Sequence, residues 1–368
     1  MGAESLPVGP NSNSNSSSAP AVLGLQVSAL IDHVARVDSS LLDRIPGERG
    51  GSQLVCIQEL NHILREVHAH TLPSPQSLSP ITIRTMAGGS VANTIRGLAA
   101  GFRLSTGIIG ACGDDDQGRL FIHNMSSSGV DLSRLRTHKG HTAQCACLVD
   151  ADGNRTMRPC LSNAVKLEAN EFRKEDFKGA KWLVVRYAHQ NLEQIKSAIK
   201  VAKQEDVSIS LDLASFEMVR NHRSELVELL ETGNIDLCFA NEDEARELIR
   251  GDENCDPEVA LDFLSCHCKW AVVTLASKGC IARNGKEVVR VGAIGQKNAV
   301  DATGAGDLFA SGFIYGLVKG LPLEDCCQVG ACSGGSVIRA LGGEVLPENW
   351  QWMYKQLKSK GLLVPENI

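Results

Sequence analysis

The residues with the clearest chemical potential lie together in Asp301-Ala302-Thr303-Gly304-Ala305-Gly306-Asp307, which runs into LFASGFIYGL. Two glycines flank an alanine where a loop enters a helix. Small residues let backbone N–H groups approach an anion closely, and a helix N-terminus adds a positive dipole. Asp307 falls in the first helical turn, where it can take a proton from a hydroxyl attacking a phosphate held by those N–H groups. An N-terminal aspartate that only stabilises its helix accounts for Asp307 equally well. A Walker A loop is excluded, because Gly285-Lys286 is followed by Glu287. A dinucleotide fingerprint is excluded by Phe309 at the third glycine position. The HRD and DFG motifs of protein kinases are missing.

Other chemistry-bearing groups are spread along the chain. Gly88-Gly89-Ser90-Val91-Ala92-Asn93 precedes a helical pattern with Ile95, Leu98 and Ala99 on one face. His33 follows Asp32. Asp114, Asp115 and Asp116 read as a solvated loop, with Asp114 or Asp115 orienting the glycine loop. No HExxH or similar spacing among the histidines suggests zinc chemistry. The pairs Cys145/Cys147, Cys266/Cys268 (around His267) and Cys326/Cys327 lack the two CxxC halves of a structural zinc site. Cys145 and Cys147 fit one face of a strand, as small hydrophobes.

The elements that must position these groups alternate. Residues 21–31 start as a buried strand that ends at Asp32. Gly47, Gly50 and Gly51 mark a turn, and Ile57–Val67 is an amphipathic helix. Pro73, Pro75 and Pro80 break the chain. A strand over Ser105–Ala111 follows. Residues 144–149 and 155–158 flank Asp152-Gly153, a strong hairpin signal. From about residue 180, strands at 182–187, 207–213, 235–240 and 270–275 alternate with helices at 192–203, 224–231 and 242–250. A hairpin at Asn284-Gly285 and helices at 307–319, 323–341 and 347–358 complete the pattern. Such alternation means βαβ units and a mostly parallel sheet, with ligands beyond the carboxyl ends of its strands. Nearly every polar motif falls at such an end. No internal repeat is evident.

Composition narrows the function classes. The 368 residues carry 37 basic and 43 acidic side chains, a formal charge of −6. A dedicated nucleic-acid binder would show a basic excess. Glycine is the one high count, 35, too few and too aperiodic for collagen. The tract NSNSNSSS within residues 1–20 reads as part of a disordered tail. No positive n-region, transit peptide or membrane span is evident, and 13 cysteines without a leader suggest a reducing compartment, so a cytoplasmic location is expected.

With these residues in place, DATGAGD and its small-residue helix resemble the C-terminal motif of the pfkB (ribokinase-like) carbohydrate and nucleoside kinases. GGSVAN (88–93) is similar to that family's sugar-binding motif, and Asp32 to its ribose-binding aspartate. Asn241-Glu242-Asp243-Glu244 resembles its Asn-x-x-Glu motif, and VVTLASKG (272–279) its nucleotide-binding strand and turn. The resemblance runs from about residue 21 to 358. It departs at Ala276, where the family usually has glycine, and in ALGGEV (340–345).

The resemblance implies a three-layer α/β/α fold with a mostly parallel central sheet and a small β-rich lid. The kinase domain would span 21–360, with lid segments from about 33–87 and 140–162. Asp307 would be the catalytic base, and Gly304, Ala305 and Gly306 the anion hole. Asp32, Gly88, Gly89 and Asn93 would hold ribose. Glu244 and Asn241 would organise Mg²⁺ through water, and Thr274, Gly279 and Thr303 would line ATP. Asp301 would sit near a K⁺ site. The insertion before Gly88 and the stretch GNRTMRPCLSNA (153–164) look most like the adenosine-kinase branch. There Arg155 or Arg158 would touch phosphate and Tyr187 would stack on a base; a solvated hairpin arginine and a core tyrosine are the plain alternatives. Within that branch the chain looks most like plant-type cytidine kinases. The implied activity is 5′-phosphorylation of a ribonucleoside, cytidine to CMP, by a monomer or homodimer that binds neither nucleic acid nor membrane. Inosine/guanosine, adenosine or a sugar are the other acceptors. A catalytically silent scaffold would be expected to lose Asp307 or the glycines, and both are intact.

Overall fold

The computed structural model describes residues 19–72, 83–250, 256–295 and 299–365. Most of the tail expected over 1–20 and the proline breaks at 73, 75 and 80 lie outside these residues. The strands are β1 (Val22–Ser28), β2 (Leu30–Arg36), β3 (Arg84–Gly88), β4 (Thr106–Gly113), β5 (Leu135–His138), β6 (Ala143–Val149) and β7 (Arg155–Cys160). They continue as β8 (Trp182–Arg186), β9 (Ser208–Asp212), β10 (Leu237–Asn241), β11 (Trp270–Thr274), β12 (Cys280–Asn284) and β13 (Glu287–Val291). A nine-stranded sheet has the order β13-β12-β11-β10-β9-β8-β1-β4-β5. It is parallel from β11 to β5, with antiparallel β12 and β13 at one edge. A separate four-stranded sheet has the order β3-β2-β6-β7.

Both faces of the large sheet are covered, so its strands are nearly continuous apolar runs. Period-two alternation divides them between two layers. Val22, Trp182, Val184, Phe239 and Val272 pack with the helices Ser90–Phe102, Ala305–Val318 and Leu323–Val337. Leu23, Leu183, Val185, Leu211 and Val273 pack with Leu192–Lys203, Arg223–Glu231 and Pro257–Ser265. The small sheet buries Ala35, Val37, Ala146 and Leu148 under Leu60, Ile63 and Val67 of the helix Ile57–His70. Its opposite face carries Val34, Met86, Cys145, Cys147 and Val149.

Three expectations change. The first strand does not stop at Asp32. The chain leaves the large sheet at Ala29 and continues as β2, so Asp32 stands inside the small sheet. Ala29 ties the two sheets: its N–H donates to Ala111 O at 2.7 Å, and its carbonyl accepts from Ala143 N at 3.2 Å. Asp114–Asp116 is not a free loop. Asp115 caps the helix Asp116–Ser127, accepting from Gly118 N at 2.9 Å and Thr142 Oγ1 at 2.7 Å, while Asp114 accepts from Gly140 N. The helix Pro257–Ser265 was not anticipated, although Asp256-Pro257 is a sound helix start. Among the described residues, no helix is long and apolar enough to cross a membrane.

Candidate active site

The polar motifs converge where the C-terminal ends of the central strands meet the N-terminus of the helix Ala305–Val318. Gly304 is the N-cap residue, with φ +78°, a backbone state natural to glycine. A Cβ there would also meet Gly343 Cα at 2.9 Å. Gly306 differs. It is exposed, and a Cβ would meet nothing within 4 Å, so its missing side chain leaves open space in front of the first helical turn. That turn has N–H groups without intrahelical acceptors. Ala305 N–H already donates to Ala302 O at 3.2 Å, so Gly304 and Gly306 are the better anion-hole donors.

Asp307 reaches back toward the Gly88–Asn93 motif. Its Oδ2 accepts from Asn93 Nδ2 at 2.9 Å. Asn93 Oδ1 accepts in turn from buried Arg96 at 2.7 Å, and Arg96 also donates to Ala87 O and Gly343 O. Thr94 Oγ1 donates to Asp307 O, and Ser311 Oγ to Thr94 O, which locks the two helices in register. Burial raises the Asp307 carboxyl above its usual range. Arg186 opposes that first, then the Asn93 hydrogen bond, while Asp212 adds to it.

Asp32 faces the same region from the small sheet. It is 1% exposed, and its Oδ1 has no hydrogen-bond partner. Burial pushes its pKa up to about 7, against the influence of the Cys147 thiol and Arg96. A Cβ on Gly88 would lie 2.0 Å from Asp32 Cγ, so only glycine fits beside this carboxylate.

Across the cleft, Asn241 and Glu244 form a capping box. Asn241 Oδ1 accepts from Glu244 N at 2.8 Å, and the Glu244 carboxylate accepts from Asn241 N and Nδ2. Glu244 is buried, and burial and then Asp212 raise its pKa; the hydrogen bond from Asn241 N–H acts against this first, then Arg186 and Arg155. Thr274 pairs with Asn241 across β10 and β11. Gly279 turns at φ +100°, and Ala276 sits at φ +49°, where an alanine is strained. Thr303 Oγ1 is buried without a partner.

Two of the expected candidates, Tyr187 and Arg158, take other roles. Tyr187 follows β8 on the face opposite Arg186. It is 0% exposed in the far layer and donates its hydroxyl to His222 O at 3.0 Å. Phe216, in the helix after β9, packs near Gly51 with Arg220 over its face. Arg158 is buried, with its guanidinium spent on the carbonyls of Pro46, Glu48, Gly51 and Met157. Arg155 is exposed at the start of β7. Asp301 accepts from Thr303 N and Gly342 N, both at 2.7 Å, so its carboxylate braces two loops. Conversely, sequence reasoning passed over Arg186. It donates to Ser90 Oγ and Ala214 O and is the cation nearest in effect to Asp307. The alternation that places Trp182 and Val184 on this face also places Arg186 there. Asp212 closes β9 beside Glu244 and Asp307 in the same way.

This arrangement is that of a phosphotransferase acting on an alcohol. The chain belongs to the pfkB family of carbohydrate kinases, whose model matches residues 52–349. It is 25% identical over 285 residues to a 5-dehydro-2-deoxygluconokinase of Geobacillus thermodenitrificans, covering 74% of this chain and 84% of that one. The adenosine kinase of Sinorhizobium meliloti has the same fold with TM-score 0.79 and 28% identity, over 90% of this chain and 98% of that one. A putative ribokinase II of E. coli, in complex with ATP and Mg²⁺, matches with TM-score 0.67 and 18% identity, over 92% of this chain and 99% of that one.

Proposed function

We propose that this chain is an ATP- and Mg²⁺-dependent nucleoside kinase that phosphorylates the 5′-hydroxyl of a ribonucleoside, with cytidine as the leading acceptor. The observation that carries the kinase chemistry is Asp307 in the first helical turn, 2.9 Å from Asn93 and beside the open space at Gly306. Asp307 takes the hydroxyl proton. The hydroxyl oxygen attacks the γ-phosphorus, and ADP leaves. Developing charge on the phosphoryl oxygens meets the N–H groups of Gly304 and Gly306 and the helix dipole. A base whose pKa is raised toward the working pH is well matched to this task.

Asp32 and Asn93 would hold the ribose hydroxyls. The unpartnered Asp32 Oδ1 is a vacant acceptor for such a donor. An acceptor lacking the hydroxyl leaves a buried carboxylate unpaired, which makes the pair discriminating. Thr303, with its unpartnered hydroxyl, and Thr274 would line ATP. Glu244, Asn241 and Asp212 form a set of hard oxygens suited to Mg²⁺ held through water, since Asn241 already occupies the Glu244 carboxylate. When bound there, Mg²⁺ would neutralise phosphate charge. Closure of the small sheet as a lid would exclude water from the transfer.

A sugar acceptor is the second reading, favoured by the gluconokinase relative and by Tyr187 being packed in the core. A panel of nucleosides and sugars with ATP, scored by ADP release, separates the two. Cytidine turned over fastest supports the proposal, and a sugar turned over faster than every nucleoside overturns the nucleoside assignment. Asp307→Asn should lower kcat by at least about 100-fold while acceptor binding persists. Retained turnover would refute Asp307 as the base.

A further inference from the structure

The face of the small sheet that carries Asp32 holds a second constellation. In the β2–β6 register, Asp32 lies opposite Cys145 and Val34 opposite Cys147, so Asp32 and both thiols project from one face. Asp32, Cys145 and Cys147 are 1%, 1% and 0% exposed. One carboxylate oxygen and the two sulfurs all lie within 4.8 Å of one another, and the sulfurs are 3.8 Å apart. Two sulfurs bound at about 2.3 Å to one tetrahedral ion stand about 3.8 Å apart, so the thiols are already at chelating distance. The Asp32 carboxylate supplies the third donor, and one of its oxygens, Oδ1, is buried without a hydrogen-bond partner.

We propose that Asp32, Cys145 and Cys147 form a binding site for a thiophilic divalent cation, Zn²⁺ or Cd²⁺, and that its occupation excludes the phosphoryl acceptor. Thiolates select soft or borderline metals over Mg²⁺. The Cys145 and Cys147 S–H protons pass to solvent as two metal–sulfur bonds form. The ion, two thiolates and a carboxylate sum to one negative charge, which buried Arg96 faces from the body of the fold. A fourth donor such as water would complete a tetrahedron. The second cluster of this kind, His189, His222 and Glu225, is a poorer candidate. Its two rings stack in parallel 3.7 Å apart, so their lone pairs do not converge.

The exclusion of acceptor rests on the proposed role of Asp32 in acceptor binding; the metal site does not. The test uses the full chain in which the thiols exposed among the described residues are removed by Cys56→Ser and Cys266→Ser, together with Cys255→Ser outside them. Cd²⁺ is titrated while the ultraviolet thiolate-to-cadmium charge-transfer band is followed. The expected result is a band saturating at one ion per chain, with affinity reduced at least about tenfold in both Cys145→Ala and Cys147→Ala. Thermal midpoints of those variants check that they fold. A band unchanged in both folded variants overturns the site. Next, whichever of cytidine, adenosine or ribose the enzyme turns over is added during the titration. It should raise the apparent Cd²⁺ Kd, and Zn²⁺ should raise its KM without lowering kcat at saturation. A cysteine-dependent band that the acceptor does not displace overturns the exclusion and, separately, Asp32 as an acceptor ligand.

Discussion

Replacing Asp32 by asparagine should make the ligand-free protein more stable, and increasingly so as pH rises. The carboxyl has an ordinary value of 3.8, and burial raises it to about 7 in the fold. An acid with a raised folded pKa holds its proton in the native state while the unfolded chain has already lost it. Stability is therefore unaffected below about pH 4, declines between about pH 4 and 7, and stays reduced above that. A shift of about three units corresponds to at most about 4 kcal/mol at pH 8, and to about 2 kcal/mol at pH 5.5. Asparagine has no charge to desolvate. Urea unfolding of wild type and Asp32→Asn at both pH values, without ligands, gives the difference directly. The variant should gain about 2 kcal/mol more at pH 8 than at pH 5.5. It should also lose about 10- to 150-fold in acceptor affinity, the worth of a hydrogen bond to a charge. Equal gains at the two pH values, or a net loss at pH 8, would refute a buried, costly carboxylate.

Three further outcomes test the site. Gly306→Ala should keep the wild-type thermal midpoint, since its methyl meets nothing, yet lower kcat/KM at least about 100-fold by filling the space for phosphate; full activity would remove Gly306 from the anion hole. Arg186→Ala takes away the cation that most lowers the pKa of Asp307, so the acidic limb of the kcat/KM profile should move to higher pH; an unmoved limb would mean that Asp307 is not the titrating base. Ala276→Gly should raise the thermal midpoint, through release of about 1 kcal/mol of backbone strain at φ +49°; a lower midpoint would contradict that strain.

The parallel core was legible because its signals are local. Apolar runs such as WLVVR and helical faces such as Ile195, Ala198 and Ile199 state their own period. The glycine motifs were legible for a related reason, since close backbone approach leaves few residue types possible. What the sequence hid was direction. Asp32 marks the end of an apolar run, yet whether the chain stops or changes sheets there depends on the pairing of β2 with β3 and β6. Tyr187 and Arg186 are neighbours at one strand end, and the layer each faces follows only once Val184 and Val185 are assigned to opposite cores. Arg158 was one of two arginines in a hairpin until the loop at 46–51 folded over it. The approach of Asp32 to two cysteines 113 and 115 positions away, by the numbering of the chain, is a fact of register that no local pattern contains.

The single residue Ala29, bonded at once to Ala111 and to Ala143, joins the two sheets. Asp32 rides on one side of that joint, while Asn93 and Asp307 ride on the other. A hinge rotation there would pull Asp32 away from Asn93 and Asp307 without disrupting either sheet. On the proposed function, the acceptor would span the joint and draw it shut, whereas Thr274 and Thr303, proposed to line ATP, stay on one side. A molecule so built would favour an ordered kinetic scheme in which the acceptor binds first and the phosphorylated product departs only after the joint reopens.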